Sequence, residues 1–360
     1  MGTLRERGRL ARAQFEARHV RLHAEAEETA STRSSSPGVL NQVGAYRILG
    51  HIGDGGMGTV YRGKHRSAEF AARQGGEVAI KVMHPHIARN EDFAERFERE
   101  AGLGLKLDHR GICRVHELIM DGGVLALVME IVDGEPLSDI IGTKTGPIPW
   151  ARAWPMFAQL LEAVAYMHGQ GVLHRDIKPE NVLVTAEGKL KLLDLGIAKD
   201  VGSGKTKTGV GMGTVDYMAP EQHTDAGKVD ERADVYALGM TLYEMLAGQL
   251  PWGDGGDALM VLQKKLSGDI TPPTDFYPDI PFEVVAALMG ALATEREDRT
   301  ASAVALGKAL EGASAQALKR QAREAKEARQ REEREAEEAR QCAEREARAA
   351  APAAGASRPP

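Results

Sequence analysis

The chain has 360 residues, of which 42% are hydrophobic and 27% are charged, and its formal net charge is −6. This length exceeds what one compact core usually holds, so we expect one large unit with extensions. The negative charge argues against a general nucleic-acid binder. Cys113 and Cys342 lie far apart in different kinds of segment, which excludes a disulfide framework and is typical of the cytoplasm. No run of 18 apolar residues is present, so we expect no membrane span.

The predicted elements fall into two groups. Residues 1–44 are predicted to form a charged helix and a Ser-rich linker. Short β-rich runs then follow at 46–52, 59–64, 77–83, 112–118 and 125–132, with an amphipathic helix at 90–107 between them. After Gly134 the patterns are mainly helical, at 150–169, 232–247, 257–266, 282–293 and 301–311. These patterns predict an α+β fold with a small β-rich lobe and a larger helical lobe.

Residues 313–349 are almost wholly Ala, Arg, Glu, Lys and Gln, and a Pro/Gly/Ala tail follows. This composition favours a helix, but it offers no Leu or Ile at heptad positions for a coiled coil. We therefore predict that residues 313–360 are a charged helix and a disordered tail that add nothing to the core. The main domain is predicted to span residues 45–312, with lobes at 45–131 and 135–312.

The most informative motif is the sequence HRDIKPEN at 174–181, followed by the turn Asp194-Leu195-Gly196. Asp176 is placed to accept a proton from an attacking hydroxyl group. Asn181 and Asp194 offer the hard oxygen ligands that Mg²⁺ prefers. Two short strands joined by a Glu187-Gly188 turn would bring these two residues together. The spacing therefore predicts that these two oxygen ligands lie close enough together to hold one cation.

A glycine-rich stretch, GDGGMGTV at 53–60, fits a loop that covers phosphate groups with backbone N–H groups. A Rossmann site is the alternative, but it requires a helix directly after the glycines. Here the chain continues as a strand. The pattern therefore favours a phosphate-covering hairpin.

Lys81 ends the apolar strand with the sequence VAIK. Glu100 lies beside the apolar face of the following helix, where it could point at Lys81, whereas Glu98 lies on the opposite face. A lysine oriented by a glutamate can hold two phosphate groups as a fixed charge. We therefore predict that Lys81 pairs with Glu100.

Residues 46 to about 312 resemble the eukaryotic-like serine/threonine protein kinases of bacteria. The segments GDGGMGTVYRG, VAIK, HRDIKPEN, DLG, GTVDYMAPEQ and DVYALG occur in the order of that family. The resemblance implies the two-lobed protein-kinase fold and ATP with Mg²⁺ as cofactors, with Mn²⁺ as a substitute metal. The partners it implies are proteins phosphorylated on Ser or Thr, and a second kinase copy during autophosphorylation.

By position, the resemblance assigns catalytic roles to Lys81, Glu100, Asp176, Lys178 and Thr214, and metal binding to Asn181 and Asp194. It also assigns nucleotide binding to residues of four kinds: the glycine-rich loop over the phosphates, apolar side chains on both faces of the adenine, the gatekeeper residue Met129, and the hinge between the lobes, whose backbone binds the adenine edge. These residues are Ile52, Gly53, Asp54, Gly55, Gly56, Met57, Gly58, Thr59, Val60, Ala79, Lys81, Met129, Glu130, Val132 and Leu183.

Three further features concern the peptide-docking segment, residues 213–221. Glu221 and Arg299 are expected to form a buried ion pair that anchors it, and Asp234 is expected to cap amides of the catalytic loop. Thr206 and Thr208 lie in a polar stretch before the segment. A phosphate on either would give Arg175 a bidentate partner, so we predict regulatory phosphorylation there.

Two departures from the family pattern concern Leu195, in place of the usual Phe, and Gly104, in place of a bulky residue. Leu195 still supplies an apolar plug, whereas Gly104 could loosen the active helix position. An active kinase remains the main expectation, and a pseudokinase scaffold is the alternative. The complete set of chemical groups favours the active enzyme. The intact docking segment disfavours a small-molecule phosphotransferase.

Overall fold

The computed structural model describes residues 40–194, 215–224, 229–253 and 257–350. The chain divides into two units, Met1–Val43 and Gly44–Pro360. A two-residue strand, Gln42–Val43, is described in the first unit. All the other described elements lie in the second unit.

Five antiparallel strands form the sheet of the first lobe, in the spatial order β1-β2-β3-β5-β4. They are β1 Tyr46–Gly55, β2 Gly58–His65, β3 Val78–Met83, β4 Val115–Asp121 and β5 Val124–Glu130. The central strand β3 buries Val78, Ala79 and Ile80 in succession, because the sheet is covered on both sides there. Lys81 follows this run and is half-buried.

Helix α3, Glu91–Gly104, packs on one face of this sheet. Its N-terminus is capped by Asn90, whose Oδ1 accepts a hydrogen bond from the Phe93 amide at 3.0 Å. Phe93, Phe97 and Ala101 recur at helical spacing and are buried in the core of the lobe. Two shorter helices, α1 Ala68–Arg73 and α2 Pro85–Ala88, lie in the same lobe. Helix α1 was not predicted.

The second lobe is mainly helical. Its helices are α4 Leu137–Asp139, α5 Trp150–Gly169, α6 Glu221–Thr224, α7 Glu231–Ala247, α8 Ala258–Ser267, α9 Phe282–Ala291 and α10 Ala303–Ala350. A π-helical segment, Ile140–Thr145, follows α4, and 3₁₀ turns occupy Pro179–Asn181, Pro273–Asp275 and Arg296–Asp298. Helix α7 is buried on nearly every side, so it forms the centre of the lobe. It ends at Gly248 (φ 75°), where a Cβ atom would lie 2.9 Å from Pro147 Cδ.

A small sheet positions the catalytic hairpin. Its strands are β6 Glu135–Pro136, β7 Val182–Val184 and β8 Leu190–Leu192, in that spatial order. The hairpin of β7 and β8 is the one predicted from the sequence, with slightly shorter strands. The Leu193 amide donates to Asn181 O at 2.8 Å, which brings the residue before Asp194 against Asn181.

Helix α10 changes the domain edge that the sequence suggested. It runs unbroken through the expected boundary at residue 312, and it buries Ala313 and Ala317. Trp150 Nε1 donates to Ser314 Oγ at 2.8 Å, and Arg320 Nε lies 3.0 Å from Glu283 Oε1. The expectation that nothing beyond residue 312 joins the core is therefore wrong, because small alanines let the helix lie close to its neighbours. We propose a domain edge after residue 320.

The side chains of α10 that are described beyond Arg320 are exposed, as the charged composition predicts. Among the described helices, none combines the length and the apolar composition needed to cross a bilayer.

Candidate active site

The catalytic loop runs between α5 and β7 and holds Asp176 beside Asn181. Asn181 Nδ2 donates to Asp176 Oδ2 at 3.0 Å and to Asp176 O at 2.8 Å. The Asp176 amide in turn donates to His174 Nδ1 at 3.3 Å. The carboxylate is therefore fixed in direction by its own loop, as a base needs to be.

Asp234 in α7 holds this loop from below. Its carboxylate is buried and accepts the amides of His174 at 2.8 Å and Arg175 at 2.7 Å. Arg175 has a φ of 62°, in a region unfavourable for a residue with a side chain, and the two hydrogen bonds offset this strain. His168 Nε2 also lies 2.8 Å from Asp234 Oδ2.

Two opposing influences act on the Asp234 carboxyl group. Burial raises its pKa, but the hydrogen bond from His168, the nearby rings of His168 and His174, and the His174 amide outweigh burial. The net pKa is lowered from its ordinary value, so Asp234 is a carboxylate at neutral pH.

Asn181 and Asp194 meet at the end of the hairpin. His174 Nδ1 accepts from the Asp176 amide, so its Nε2 carries the proton and donates to Leu193 O at 2.8 Å. Asp194 has a φ of 42°, in the left-handed region that residues with a side chain rarely adopt. In the described part of the chain, no hydrogen bond uses Asn181 Oδ1 or Asp194 Oδ1. Two hard oxygens of this kind fit a divalent cation such as Mg²⁺.

The predicted pair of Lys81 and Glu100 is not the pair in this structure. Lys81 Nζ lies 2.6 Å from Asp194 Oδ2, whereas Glu100 Oε1 lies 3.9 Å from Arg175 Nη1. The reason is electrostatic: the ammonium of Lys81 lies close enough to the Asp194 carboxylate for a strong attraction between the two charges. Glu100 takes the guanidinium of the catalytic loop instead.

The glycine-rich loop is the hairpin between β1 and β2. Gly58 is required for packing, because a Cβ atom there would lie 2.2 Å from Val82 O. Cβ atoms built at Gly53 and Gly56 would meet nothing within 4 Å, so this backbone is open to a ligand. Asp54 in β1 accepts a hydrogen bond from Thr59 Oγ1 in β2 at 2.8 Å, which joins the two strands, and it lies 3.1 Å from His51 in its own strand. Ile52 and Met57 flank the loop, and Gly55 lies at its tip.

The predicted adenine pocket lies on the inner face of the first lobe. Val60, Ala79 and Met129 belong to its apolar cluster or pack against it, and Leu183 in β7 comes from the second lobe. A small cavity behind this pocket is lined by residues that include Cys113, Met129 and Asp194. Burial raises the pKa of the Cys113 thiol to about 12.

The hinge between the lobes begins at Glu130, the last residue of β5, and contains Val132. Glu130 O accepts from Cys113 Sγ at 3.4 Å, and its carboxylate binds Lys191 Nζ at 2.8 Å. Within the described chain, the backbone groups of Val132 enter no hydrogen bond, which leaves them available to a base edge.

The docking segment is anchored at its end by an ion pair. Arg299 Nη1 lies 2.7 Å from Glu221 Oε1, and Nη2 lies 3.0 Å from Oε2. The Arg299 side chain is fully buried and also donates to the carbonyls of Arg232, Ala293 and Thr294. Tyr217, within the segment, hydrogen-bonds to Glu244 of α7.

The remaining predicted residues are placed differently. Lys178 lies half-exposed in the catalytic loop, two residues from Asp176. Thr206, Thr208, Gly213 and Thr214 lie outside the described residues.

Sequence reasoning missed His168 and Lys265. His168 lies outside the sequence motifs, so no signal pointed to it. Lys265 follows the buried Val261 by four positions on α8, and this helical spacing was a signal that it faces the core.

Residues 46–307 match the family model described as the protein kinase domain. The serine/threonine-protein kinase Pkn1 of Myxococcus xanthus is 36% identical over 299 residues, which cover 81% of this chain and 42% of Pkn1. The tyrosine-protein kinase MasK of the same species is 37% identical over 285 residues, 76% of this chain and 43% of MasK. The chain thus spans less than half the length of either relative.

Solved structures agree with the sequence comparison. The PknI kinase domain of Mycobacterium tuberculosis superposes with a TM-score of 0.60 at 28% identity, covering 78% of this chain and 100% of that domain. The predicted two-lobed α+β fold is therefore confirmed. This chain belongs to the protein kinase family, and it is similar to kinases of bacteria.

Proposed function

We propose that this chain transfers the γ-phosphoryl group of ATP, bound with Mg²⁺, to serine and threonine hydroxyl groups of proteins. The observation that carries the proposal is the Asp176 carboxylate, fixed by Asn181 at 3.0 Å beside the two hard oxygens of Asn181 and Asp194. These are the groups that this reaction needs: a base for the hydroxyl and ligands for a phosphate-bound cation.

Each residue has a defined part in this reaction. Asp176 accepts the proton as the hydroxyl oxygen bonds to the γ-phosphorus, and the bond from that phosphorus to the β,γ-bridging oxygen breaks, which leaves ADP. Lys178, two residues away, offsets charge on the transferring group. Asn181 and Asp194 would hold Mg²⁺, which when bound neutralises charge on the phosphate oxygens.

Lys81 must change its partner during the cycle. It forms an ion pair with Asp194 here, and both groups are needed for a nucleotide: Lys81 at the phosphates and Asp194 at the metal. A divalent cation outcompetes one ammonium for a carboxylate on charge alone. We therefore infer that metal-nucleotide binding releases Lys81 toward the phosphates and toward Glu100.

We propose that the protein acts in the cytoplasm, where ATP is available and thiols stay reduced. Cys113 is a buried free thiol in the described chain. We also propose that one copy of the kinase phosphorylates a second copy.

The test is transfer of radiolabelled phosphate from ATP to a generic protein substrate and to the chain itself. Asp176→Asn is the matched control, because it keeps the shape and the hydrogen-bond acceptor but removes the base. Incorporation that needs added Mg²⁺ and falls in the variant supports the proposal. Equal incorporation by the variant, or none by the wild type, contradicts it; the latter outcome favours a pseudokinase scaffold.

The acceptor class needs its own test, because one relative, MasK, is named a tyrosine-protein kinase. Acid hydrolysis of the labelled product and separation of phosphoamino acids distinguish the two classes. We expect phosphoserine and phosphothreonine. Phosphotyrosine as the main product would favour the second candidate, a tyrosine kinase.

A further inference from the structure

A lysine lies in the core of the second lobe. The Lys265 side chain, on α8, has no exposed surface. Its ammonium group donates three hydrogen bonds, to Val215 O at 2.6 Å, Asp216 O at 2.6 Å and Met218 O at 2.8 Å. All three acceptors belong to the docking segment, so the donors of one side chain converge on the backbone of one loop.

Aromatic rings complete the surroundings of this ammonium group. It lies 5.3 Å from the centre of the Tyr236 ring and 5.1 Å from that of the Trp252 ring. Trp252 Nε1 donates to Asp216 Oδ1 at 2.8 Å. Within the described residues, no carboxylate forms a salt bridge with Lys265, so carbonyl dipoles and ring faces are its main partners.

The Tyr236 ring links the two ends of the docking segment. The Arg299 guanidinium, which binds Glu221 at the end of the segment, lies 5.0 Å from the centre of the same ring. Lys265 binds the carbonyls of residues 215, 216 and 218, which come earlier in the segment. The described part of the segment, residues 215–221, is therefore held near both of its ends by buried cations that share one tyrosine of α7.

The energetics indicate what the lysine does. Burying an ammonium group is costly unless hydrogen bonds offset the cost, and a methionine would fill the same space without that cost. Hydrogen bonds to the three carbonyls offset much of this cost, and the carbonyls in turn need donors once they are removed from water. The interaction therefore acts on the shape of the loop, more than on the packing of the lobe.

We propose that Lys265 is a positioning residue that holds the docking segment in the shape that accepts a protein substrate. The role in substrate binding rests on the proposed function, whereas the role in ordering the loop does not. Lys265 touches neither nucleotide-binding nor catalytic groups in the described structure. Its removal should therefore affect the peptide and spare the nucleotide.

The first experiment separates these two binding steps. Lys265→Met removes the donors at nearly constant length, and Lys264→Met on the same helix is the matched control. We expect the KM for a peptide substrate to rise about tenfold in Lys265→Met. The KM for ATP should stay within about twofold of the wild type, since the nucleotide site keeps its contacts. Lys264→Met should leave both values unchanged.

The second experiment measures the loop without catalysis. Hydrogen exchange followed by mass spectrometry compares amides of residues 215–221 with those of α7 in the full chain. Lys265→Met should lose protection in residues 215–221 while α7 stays protected. If this variant fails to fold, Lys265→Gln, which keeps a donor, takes its place and should show a smaller change in the same direction.

The outcomes separate the proposals. Unchanged loop exchange and unchanged peptide KM overturn the positioning role. Loss of protection throughout the lobe also overturns it, because it shows that Lys265 serves general stability. If the wild type transfers no phosphate, the proposed function fails and the substrate role fails with it, while the exchange data still decide the loop role.

Discussion

Lys81 and Asp194 are separated by 113 positions in the sequence, and yet their side chains meet at 2.6 Å. Both groups come from ordered elements: Lys81 from the central strand β3, and Asp194 from the turn after β8. At the residue scale, the site brings charges of opposite sign together from distant parts of the chain. Mutations here should therefore affect chemistry far more than folding.

Asp194→Ala and Lys81→Met test that distinction. Asp194→Ala removes a metal ligand and Lys81→Met removes a phosphate-binding charge, so each should lower kcat by about 10²-fold or more. The melting temperature should change little, because a partly exposed ion pair contributes about 0–1 kcal/mol. Measured turnover near that of the wild type in Asp194→Ala would contradict the proposed metal role.

Arg299 should behave in the opposite way. Its side chain is fully buried against Glu221, so Arg299→Met leaves a buried carboxylate without its partner and should cost about 3–5 kcal/mol of unfolding free energy. Arg296→Met, in the adjacent 3₁₀ turn, removes partly exposed pairs with Glu297 and Asp230 and should cost far less. Urea unfolding measures both, and similar costs for the two variants would refute the argument.

Lys265 gives a pH dependence. Burial lowers the pKa of its ammonium group to about 7, and the charge of Asp216 opposes this. As pH rises through this value, the group loses a proton and one of its three donors. The peptide KM of the wild type should therefore rise between about pH 6 and pH 8, because fewer donors hold the loop.

The control for this dependence is Lys265→Met, whose peptide KM should be high and flat over the same range. Other titratable groups face the site: Asp216, His223 and Tyr236, and the permanently charged Arg299 lies beyond Tyr236. Burial and the charge of Lys265 lower the pKa of His223. A rise of the same size in Lys265→Met would assign the effect to one of these groups.

At the scale of elements, helix α10 belongs to both the folded domain and its extension. The contacts of Ala313, Ala317 and Ser314 lie beyond the boundary expected from composition. Arg320 adds an ion pair with Glu283 and lies 5.1 Å from the centre of the Phe282 ring. One continuous helix therefore changes from a packed to a solvated environment after residue 320.

Truncation of this helix gives a sharp comparison. A chain ending at residue 312 loses the Trp150 hydrogen bond and the Arg320 contacts, so its unfolding free energy should fall by about 1–3 kcal/mol. A chain ending at residue 325 keeps them and should match the full chain. Thermal and urea unfolding of both decide the position of the domain edge. Equal stability of the two truncated chains would restore the boundary at residue 312.

At the scale of the whole molecule, two lobes contribute to one site and a phosphorylated segment is predicted to regulate it. Arg175 lies next to the base and 3.9 Å from Glu100 of α3. A phosphate on Thr206 or Thr208 would compete with Glu100 for this guanidinium, because it carries more charge than a carboxylate. Regulation would then release Glu100 toward Lys81.

Mass mapping after incubation with ATP and Mg²⁺ tests this prediction. Thr206 and Thr208 should carry most of the phosphate, and the double alanine variant should lose a large part of its activity toward a peptide, about tenfold or more. The Ser34–Ser36 cluster provides a control, since its replacement should leave activity unchanged. Unchanged activity of the threonine variant would show that modification at these sites does not regulate the kinase.

Motif spacing was sufficient for the fold and for the identity of the chemical groups. The order of the glycine-rich loop, Lys81, Asp176 and Asp194 resembles that of the protein kinases, and this resemblance implied the two-lobed fold. Short β-rich runs predicted the strands of the first lobe, and helical periodicity predicted most long helices, within a few residues. Helix α1 was not predicted because six residues between two strands are too few to show a clear helical period.

Tertiary structure decided the pairing of charges and the edge of the domain. Local sequence names Glu100 as a partner for Lys81, but the closest opposite charge depends on how the turn at Asp194 folds back onto β3. Likewise, nothing in an Ala- and Arg-rich stretch shows that Trp150 and Glu283 lie beside it. Helical spacing places Lys265 on the same face of α8 as Val261, but only the tertiary structure shows that it donates to three carbonyls of a distant loop. Composition and spacing determine which groups are present, whereas contacts between distant segments determine which charge each group meets.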